Sequence, residues 1–177
     1  MRIVITGTPG SGKSTIAKRL SKKLGAPVID IKKVVQAKKI LGKNKEVSIP
    51  KLRSALSFLK NKKNFIVEGH LACEVKIPSD FVFVLRCNPK TLQKRLSKRK
   101  YSKKKLAENL LAEMLDYCTQ RVSVVYGRKP IEIDSSKRSL SGCMLVIEHA
   151  IRHKKKSVDN VDYSQMLEKY LKTGRLK

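Results

Sequence analysis

The chain begins with an apolar run that leads directly into a glycine-rich loop, and this junction limits the possible folds more than any other feature. Residues 2–6 read Arg-Ile-Val-Ile-Thr and residues 7–15 read Gly-Thr-Pro-Gly-Ser-Gly-Lys-Ser-Thr, the pattern G-x-x-x-x-G-K-S/T. Glycines let consecutive backbone N–H groups wrap a polyphosphate without interference from Cβ atoms. A helix that starts at such a loop also points its positive end at the anion. The segment therefore predicts a strand, a phosphate-binding loop and a helix, with a nucleoside triphosphate as ligand.

Two side chains of this loop have separate expected roles. Lys13 can reach the β- and γ-phosphates as a mobile cation. The hydroxyl of Ser14 is expected to bind the Mg²⁺ ion that accompanies ATP.

Short apolar runs alternate with amphipathic stretches along the rest of the chain. The apolar runs predict five strands, at residues 3–6, 28–30, 65–68, 81–85 and 131–134. Apolar residues at helical spacing predict helices at residues 14–24, 52–59, 92–96, 106–117 and 143–151, and a short one at 166–171. Strands that alternate with helices are typical of a parallel sheet. We expect the α/β class: one P-loop NTPase domain over residues 1–177, with three α/β/α layers, a five-stranded parallel sheet and a basic polar tail at 153–177.

Basic residues outnumber acidic ones by a wide margin. The chain has 41 Lys and Arg against 14 Asp and Glu, a formal net charge of +27. A field of this size attracts polyanions, and RNA is the commonest one in a cell. We expect contact with RNA or the ribosome; the alternative is a basic surface without a partner.

Other features concern compartment and cysteine chemistry. No apolar run approaches the ~18 residues of a membrane span, so no membrane partner is expected. The apolar start stops at Gly7 and lacks the pattern of a signal peptide. The four cysteines, at positions 73, 87, 118 and 143, are isolated from one another and from any histidine cluster. We expect a cytoplasmic protein with buried, reduced thiols and no structural metal.

Polar residues at the ends of the predicted strands are the candidates for chemistry, because ligands of parallel sheets bind at the carboxyl ends of the strands. Glu68 is expected to hold Mg²⁺, with a loop-capping acid as the alternative. His70 is expected to line the same cleft as a catalytic residue, or else to bond the backbone. Asp30 and Arg86 are candidates for binding a second substrate. Asp134 is expected to cap a turn.

A cluster of cations follows the fourth strand. Arg95 and Arg99 are spaced i, i+4 and share one helix face. Lysines and Arg99 then dominate residues 98–105. An arginine delivered to a transferring phosphoryl group supplies ~10³–10⁵ in rate, so a basic flap over the nucleotide is predicted; a solvated face is the alternative. Tyr101 in this segment is expected to stack on a base or to pack.

Together these motifs resemble one enzyme family. Residues 7–15, Val67-Glu68-Gly69-His70-Leu71, Val84-Leu85-Arg86 and Arg95-Leu96-x-x-Arg99-x-Tyr101-Ser102-x-Lys104-x-x-x-Glu108-Asn109 are similar to the small broad-specificity nucleoside monophosphate kinases of the sixth adenylate kinase isoenzyme type. The resemblance covers roughly residues 1–136 and is nearest to the archaeal branch.

The resemblance implies an adenylate kinase-like fold with an NMP-binding segment at 28–51 and a lid at 98–108. It implies reversible phosphate transfer from ATP to AMP or another NMP, an ATPase activity, and a role in late maturation of the small ribosomal subunit and its 16S rRNA, through the ribosomal protein uS11 on the pre-30S particle. The implied contacts with ATP are Gly10, Gly12, Lys13, Ser14, Thr15 and Arg99. A monomer is expected.

Three positions depart from the pattern of the family. Glu68 stands where some relatives have Asp, and Lys100 stands where Gly is usual. Gln36 stands near an Arg that some members use, which leaves Lys33, Lys38 or Lys39 to bind the acceptor.

Three other functions stay open. The chain could be a ribosome-assembly ATPase with incidental kinase activity, a kinase of another small metabolite, or a nucleic-acid-binding module whose loop is vestigial. The segment Asn44-Lys45-Glu46-Val47 lacks the Asp of a guanine-specifying motif, which weakens a GTPase interpretation.

Overall fold

The computed structural model describes residues 1–42, 46–99, 101–174 and 176, and its centre is a five-stranded sheet. The strands are β1 (Arg2–Thr6), β2 (Val28–Asp30), β3 (Phe65–Glu68), β4 (Phe81–Arg86) and β5 (Ile131–Asp134). Their spatial order is β2-β3-β1-β4-β5, and each neighbouring pair is parallel. Parallel neighbours need crossover connections, which the intervening helices provide. The predicted α/β fold is confirmed.

Eight α-helices connect and cover the described strands. They are α1 (Lys13–Leu24), α2 (Ile31–Ala37), α3 (Ile49–Ala55), α4 (Pro89–Ser97), α5 (Lys103–Met114), α6 (Tyr117–Tyr126), α7 (Leu140–Arg152) and α8 (Ser164–Thr173). Short 3-10 turns lie at Ser57–Asn61 and His70–Cys73.

The sheet has an apolar core on each face, because side chains alternate along a strand. Val4 and Val84 point to the face covered by α3 and α6. Ile3, Ile5 and Phe83 point to the face covered by α1 and α7. This alternation produces the three predicted layers.

The structure differs from the sequence prediction in two helices. The predicted helix at 106–117 ends at Met114 in α5, and Asp116, which follows in a left-handed conformation with φ 52°, separates α5 from α6. Helix α6 was not predicted at all. The predicted helix at 52–59 changes into a 3-10 turn after Ala55.

The tail packs against the body of the protein. The predicted short helix at 166–171 is confirmed as the longer α8. Its Leu167 and Tyr170 pack on a third apolar cluster that includes Leu92, Leu96 and Leu110. All four cysteines are buried, as predicted.

Some predicted features lie outside the described residues. These are Lys43, Asn44 and Lys45 of the NMP-binding segment, Lys100 of the lid, and positions 175 and 177 of the tail. Within the part of the chain that is described, no helix combines the length and apolar character that crossing a bilayer requires.

Candidate active site

The phosphate-binding loop lies between the carboxyl end of β1 and the first turn of α1. Gly7 and Gly10 have φ angles of 136° and 94°, which L side chains rarely adopt. A Cβ atom at Gly7 would lie 2.4 Å from the carbonyl oxygen of Leu85 at the end of β4, and one at Gly10 would lie 2.9 Å from Leu92 Cδ1. Glycine therefore lets the loop pack tightly between β4 and α4.

Lys13 is held inside this loop. Its side chain is 7% exposed, and Nζ donates a hydrogen bond of 3.0 Å to the carbonyl oxygen of Thr8. Burial lowers the pKa of Lys13, although charge on Cys118 and Glu68 acts in the opposite direction. A cation that is poorly solvated in this way gains a strong partner when a triphosphate binds.

Ser14 and Glu68 meet at the candidate metal position. Ser14 Oγ donates a hydrogen bond of 2.8 Å to Oε1 of Glu68, which ends β3 and is 5% exposed. Mg²⁺ is usually bound by one or two protein oxygens together with waters and substrate phosphates, and this pair fits that role. Among the described residues, no group of three or more His, Cys, Asp or Glu side chains could hold a metal ion by itself. A metal here would therefore need the phosphates of the nucleotide as further ligands.

A buried hydroxyl in the loop also fits a polar ligand. Ser11 Oγ is buried and has no hydrogen-bond partner in the described part of the chain. An unsatisfied buried hydroxyl is costly, and a nearby phosphate oxygen could accept a hydrogen bond from it.

The two predicted arginines both lie near the loop. Arg95 Nη1 donates to the carbonyl oxygen of Gly10 at 3.3 Å, and Nη2 donates to the carbonyl oxygen of Ser135 at 3.3 Å. Arg99 lies one turn further on; its side chain is exposed, and its charge contributes to the lowered pKa of Lys13. Arg95 is thus already held against the phosphate loop, whereas the side chain of Arg99 is exposed.

The ring of Tyr101 packs against apolar side chains and is not available for stacking on a base. The ring is part of the apolar cluster under α4 and α5, and Lys105 Nζ lies 4.9 Å from its centroid. Of the two sequence alternatives for Tyr101, packing is the one that the structure contains.

His70 lies below the loop in a polar contact with the backbone. Its Nδ1 is 3.3 Å from the carbonyl oxygen of Gly7 and 3.5 Å from Cys118 Sγ. Its ring stacks on Tyr117 with centroids 6.1 Å apart. Burial lowers the pKa of His70, but the hydrogen bond and the charge of Cys118 together raise it by more. The pKa of His70 is therefore raised overall. The contact between Cys118 and His70 was not predicted, because no helix was expected where Cys118 lies.

Arg86 is a correction to the sequence prediction. The side chain is 2% exposed, and Nε donates to Glu113 Oε1 at 2.9 Å while Nη1 donates to Glu132 Oε1 at 2.5 Å. Nη2 contacts Asp116. Three carboxylates therefore hold this guanidinium inside the protein, and it does not reach a substrate pocket. A basic residue at a strand end satisfied the sequence pattern, but the acids that pair with it come from α5, β5 and the turn at Asp116.

Asp30 caps the helix that follows β2, and neither Asp30 nor Lys33 lines the cavity described below. The carboxylate of Asp30 accepts hydrogen bonds from the backbone nitrogens of Lys32 and Lys33, at 2.8 and 3.4 Å, and so caps α2. The side chain of Lys33 is exposed. Asp134 caps a turn, as predicted, by accepting from the backbone nitrogen of Ser136 at 2.9 Å.

A different set of residues forms a cavity beside His70. Its volume is about 610 Å³, and it lies between α2 and the turn that follows β3. Its lining is mainly apolar, with four polar side chains; the residues are Ile31, Lys32, Val35, Gln36, Lys39, Leu41, Val47, Gly69, His70 and Leu71. The apolar pair Ile31 and Val35, spaced i, i+4 within a Lys-rich segment, was the available sequence signal.

Comparisons with known proteins agree with this geometry. Residues 3–116 match the family described as an AAA domain. The protein named "Putative adenylate kinase" in Methanocaldococcus jannaschii is 38% identical, over 97% of this chain and 97% of that protein. The protein of the same name in Thermococcus kodakarensis is 35% identical, over 99% of this chain and 100% of that protein.

Solved structures show the same fold at lower identity. Deoxyadenosine kinase from M. mycoides with bound dATP superposes with a TM-score of 0.59 at 23% identity, and the match covers 86% of this chain and 100% of that one. Shikimate kinase from Bacteroides thetaiotaomicron gives a TM-score of 0.60 at 16% identity, over 86% of this chain and 98% of that one. The fold is therefore that of small P-loop kinases. The archaeal proteins are 35–38% identical to this chain over nearly its full length. The chain therefore belongs to their family, the archaeal adenylate kinase-type proteins with an AAA-type P-loop domain.

Proposed function

We propose that the protein is a broad-specificity nucleoside monophosphate kinase that transfers the γ-phosphoryl group of ATP reversibly to AMP or a related monophosphate. The observation that carries this proposal is the cavity of about 610 Å³ beside His70. It lies at the carboxyl edge of the sheet, as the phosphate loop does, because Gly69 and His70 follow the end of β3. A second nucleoside there would have its phosphate close to the loop. A simple ATPase needs no such space.

The residues of the loop would bind the donor. Backbone N–H groups of residues 10–15, including Gly10, Gly12 and Thr15, would bind the phosphates of ATP at the positive end of α1. Ser14 and Glu68 would hold Mg²⁺, which supplies charge neutralisation at the β- and γ-phosphates when bound. Lys13, Arg95 and Arg99 would neutralise the charge on the transferring group.

The chemistry needs no side-chain base. A phosphate oxygen of the acceptor is already nucleophilic, so it forms the new P–O bond while the bond between the γ-phosphorus and its bridging oxygen breaks. His70 would position the Gly7 end of the loop and the wall of the acceptor cavity. The segment at 98–108 would close as the lid and exclude water.

Two lysines that line the cavity would bind the second substrate, the role that was expected of Lys33 and Arg86. Lys32 and Lys39 both line the cavity and can bind the acceptor phosphate. Gln36 offers a neutral amide that can donate and accept hydrogen bonds at a base edge. Because the side-chain amide can present either its donor or its acceptor to the base, it is compatible with several different nucleoside monophosphates.

Further parts of the proposal come from the family resemblance. We propose that the enzyme also hydrolyses ATP slowly, and that it acts as a monomer in the cytoplasm during late maturation of the small ribosomal subunit, with uS11 and pre-30S rRNA as partners. The charge of +27 supports a polyanionic partner. A ribosome-assembly ATPase with incidental kinase activity is the second candidate, and this charge is the observation that favours it.

Two adjacent lysines offer a matched test. Lys39 lines the acceptor cavity, whereas Lys38 lines a separate cavity that also contains Phe58. Lys39 has φ 50°, so glycine fits its backbone conformation without strain. Lys39→Gly should raise KM for AMP about tenfold or more, because a charge-assisted hydrogen bond to phosphate is lost. Lys38→Gly should leave KM for AMP unchanged.

The same assay separates the two candidate functions. With saturating AMP and MgATP, ADP formation well above basal hydrolysis supports the kinase. ADP formation that AMP does not increase would favour the assembly ATPase, and equal effects of the two lysine variants would contradict the assignment of the cavity.

A further inference from the structure

A strongly cationic surface lies at the opposite edge of the sheet from the phosphate loop. A cavity of about 750 Å³ opens where β4 and β5 begin, between Phe81 and Ile131. A second cavity of about 590 Å³ adjoins it, since both are lined by Lys155 and Ser157. We call the six cations along these two cavities the amino-edge surface: Arg128, Lys129, Arg152, Lys154, Lys155 and Lys156.

The charge of the amino-edge surface is not compensated within the described structure. All six side chains belong to exposed residues, and none of them forms an ion pair with a described carboxylate. The two acids in the cavity walls are Asp80 and Glu148. Asp80 pairs with Arg2, and Glu148 pairs with Lys23. The cluster is therefore available to an external anion.

Backbone hydrogen bonds fix the positions of two of these cations, Lys154 and Lys155, and the conformation of Lys154 is strained. Helix α7 ends in a Schellman motif: Lys154 N donates to the carbonyl oxygen of Ile151 at 3.3 Å, and Lys155 N donates to that of Ala150 at 2.9 Å. The left-handed position of this motif usually contains glycine, but here it contains Lys154 with φ 48°. A non-glycine residue in this conformation costs roughly 1 kcal/mol. Strain of this kind concentrates at functional sites.

Three planar groups at this surface, one guanidinium and two imidazole rings, add a second kind of contact. The guanidinium of Arg128 is oriented by hydrogen bonds from Nη2 to the carbonyl oxygen of Ser79 at 2.8 Å and to Ser79 Oγ at 3.2 Å. On α7, the exposed rings of His149 and His153 lie 4.3 Å apart, and His149 lines the smaller cavity. Planar cations and imidazole rings are groups on which unpaired bases stack.

We propose that the amino-edge surface binds single-stranded RNA. The lysines would contact backbone phosphates, and Arg128 with the histidine pair would contact bases. Dense uncompensated cations fit any polyanion, but flat stacking groups beside them fit nucleic acid and have no use on an anionic lipid surface or an acidic peptide.

This inference rests on the rRNA contact that the proposed function includes and identifies the surface that makes it, but it does not depend on the kinase activity. ATP is expected at the carboxyl ends of the strands, whereas the amino-edge surface lies where β4 and β5 begin. RNA and MgATP should therefore bind at the same time. If the protein phosphorylates AMP but does not bind RNA, only the RNA proposal fails. If it binds RNA but does not phosphorylate AMP, only the kinase proposal fails.

The test compares two triple variants with equal loss of charge. Lys154→Gln/Lys155→Gln/Lys156→Gln alters the amino-edge surface. Lys60→Gln/Lys62→Gln/Lys63→Gln alters three exposed lysines that precede β3 and line neither of the two cavities. Binding of a labelled single-stranded oligoribonucleotide is measured by fluorescence anisotropy at several salt concentrations, with and without MgATP.

The first triple variant should lower the slope of log K against log salt by about 2, because each phosphate contact on a single strand contributes about 0.7. The second should leave the slope unchanged, and both should retain kinase activity. Equal loss in the two variants, an unchanged slope in the first, or displacement of RNA by MgATP would overturn the proposal.

A single variant guards against an effect on folding. Lys154→Gly removes one charge and relieves the left-handed strain, so its thermal midpoint should not fall below that of the unmodified protein. Its salt slope should fall by about 0.7. Binding of RNA by Lys154→Gly with an unchanged slope, or stronger binding to anionic vesicles than to RNA by the unmodified protein, would contradict the assignment.

Discussion

The hydroxyl of Ser14 donates a hydrogen bond of 2.8 Å to the carboxylate of Glu68, although 54 positions separate the two residues. The contact forms because β1 and β3 are parallel neighbours, and Ile5 lies opposite Glu68 in their register. The helix that starts after the phosphate loop is thereby brought to the end of β3. Two oxygen ligands of the kind that Mg²⁺ prefers are adjacent as a result.

Glu68→Gln should weaken Mg²⁺ binding in the ATP complex. The amide keeps the shape of the side chain and can still accept from Ser14, but it carries no charge. We expect the Mg²⁺ concentration that gives half-maximal activity to rise about 10- to 100-fold, the range found when groups around a metal are altered. Kinase assays over a Mg²⁺ titration measure this. Glu168→Gln, on the exposed face of α8, is the control, and an identical Mg²⁺ dependence in both variants would contradict the role of Glu68.

Lys13 should take up a proton when ATP binds under alkaline conditions. Burial lowers the pKa of the free amine below its ordinary value of 10.5, and the phosphates of ATP would raise it again. Between those two values the free protein has lost the proton and the complex holds it, so binding adds a proton. Calorimetry in two buffers of different ionisation enthalpy detects the uptake, which should disappear in Lys13→Met. Uptake of equal size in Lys13→Met would show that another group is responsible.

Arg99 and Lys98 provide a comparison of two neighbouring exposed cations. The charge of Arg99 contributes to the lowered pKa of Lys13, and we expect its exposed side chain to reach the transferring phosphoryl group when the lid closes. Arg99→Ala should lower kcat by about 10³-fold, at the lower end of the contribution of such an arginine. Lys98→Ala should have little effect on kcat. Similar losses in both variants would indicate a general effect of charge instead of a specific contact.

Arg86→Met tests whether this arginine is structural. The change leaves Glu113 buried without its partner, and loss of one member of a buried ion pair costs about 3–5 kcal/mol. Urea denaturation should show a fall of that order in the free energy of unfolding, whereas KM for AMP in the folded enzyme should stay the same. A raised KM for AMP with unchanged stability would restore the original prediction that Arg86 binds a substrate.

Local patterns in the sequence were sufficient for the fold and the donor half of the site. Gly7, Gly10 and Lys13 are close in sequence, and their spacing alone specifies a loop that cradles phosphate. The five strands were predicted because short apolar runs that alternate with amphipathic helices are typical of the buried strands of a parallel sheet. The i, i+4 spacing of Arg95 and Arg99 likewise placed both on one helix face.

The partners of long-range contacts could not be read from the sequence. Arg86 has the same local pattern whether it faces a substrate or a cage of acids, and the acids come from α5, β5 and Asp116. Cys118 contacts His70 from α6, which begins after the left-handed residue Asp116. The predicted helix stopped at residue 117, so no helix was expected where Cys118 lies.

The sequence by itself determined the phosphate loop, the strands and the excess of positive charge, because each depends on residues that are neighbours along the chain. Only the tertiary structure decided which strand ends face a cavity, which cations are neutralised and which stay exposed. Those outcomes depend on the order β2-β3-β1-β4-β5, which brings together side chains that are distant in sequence and gives each a different solvation and a different set of charges.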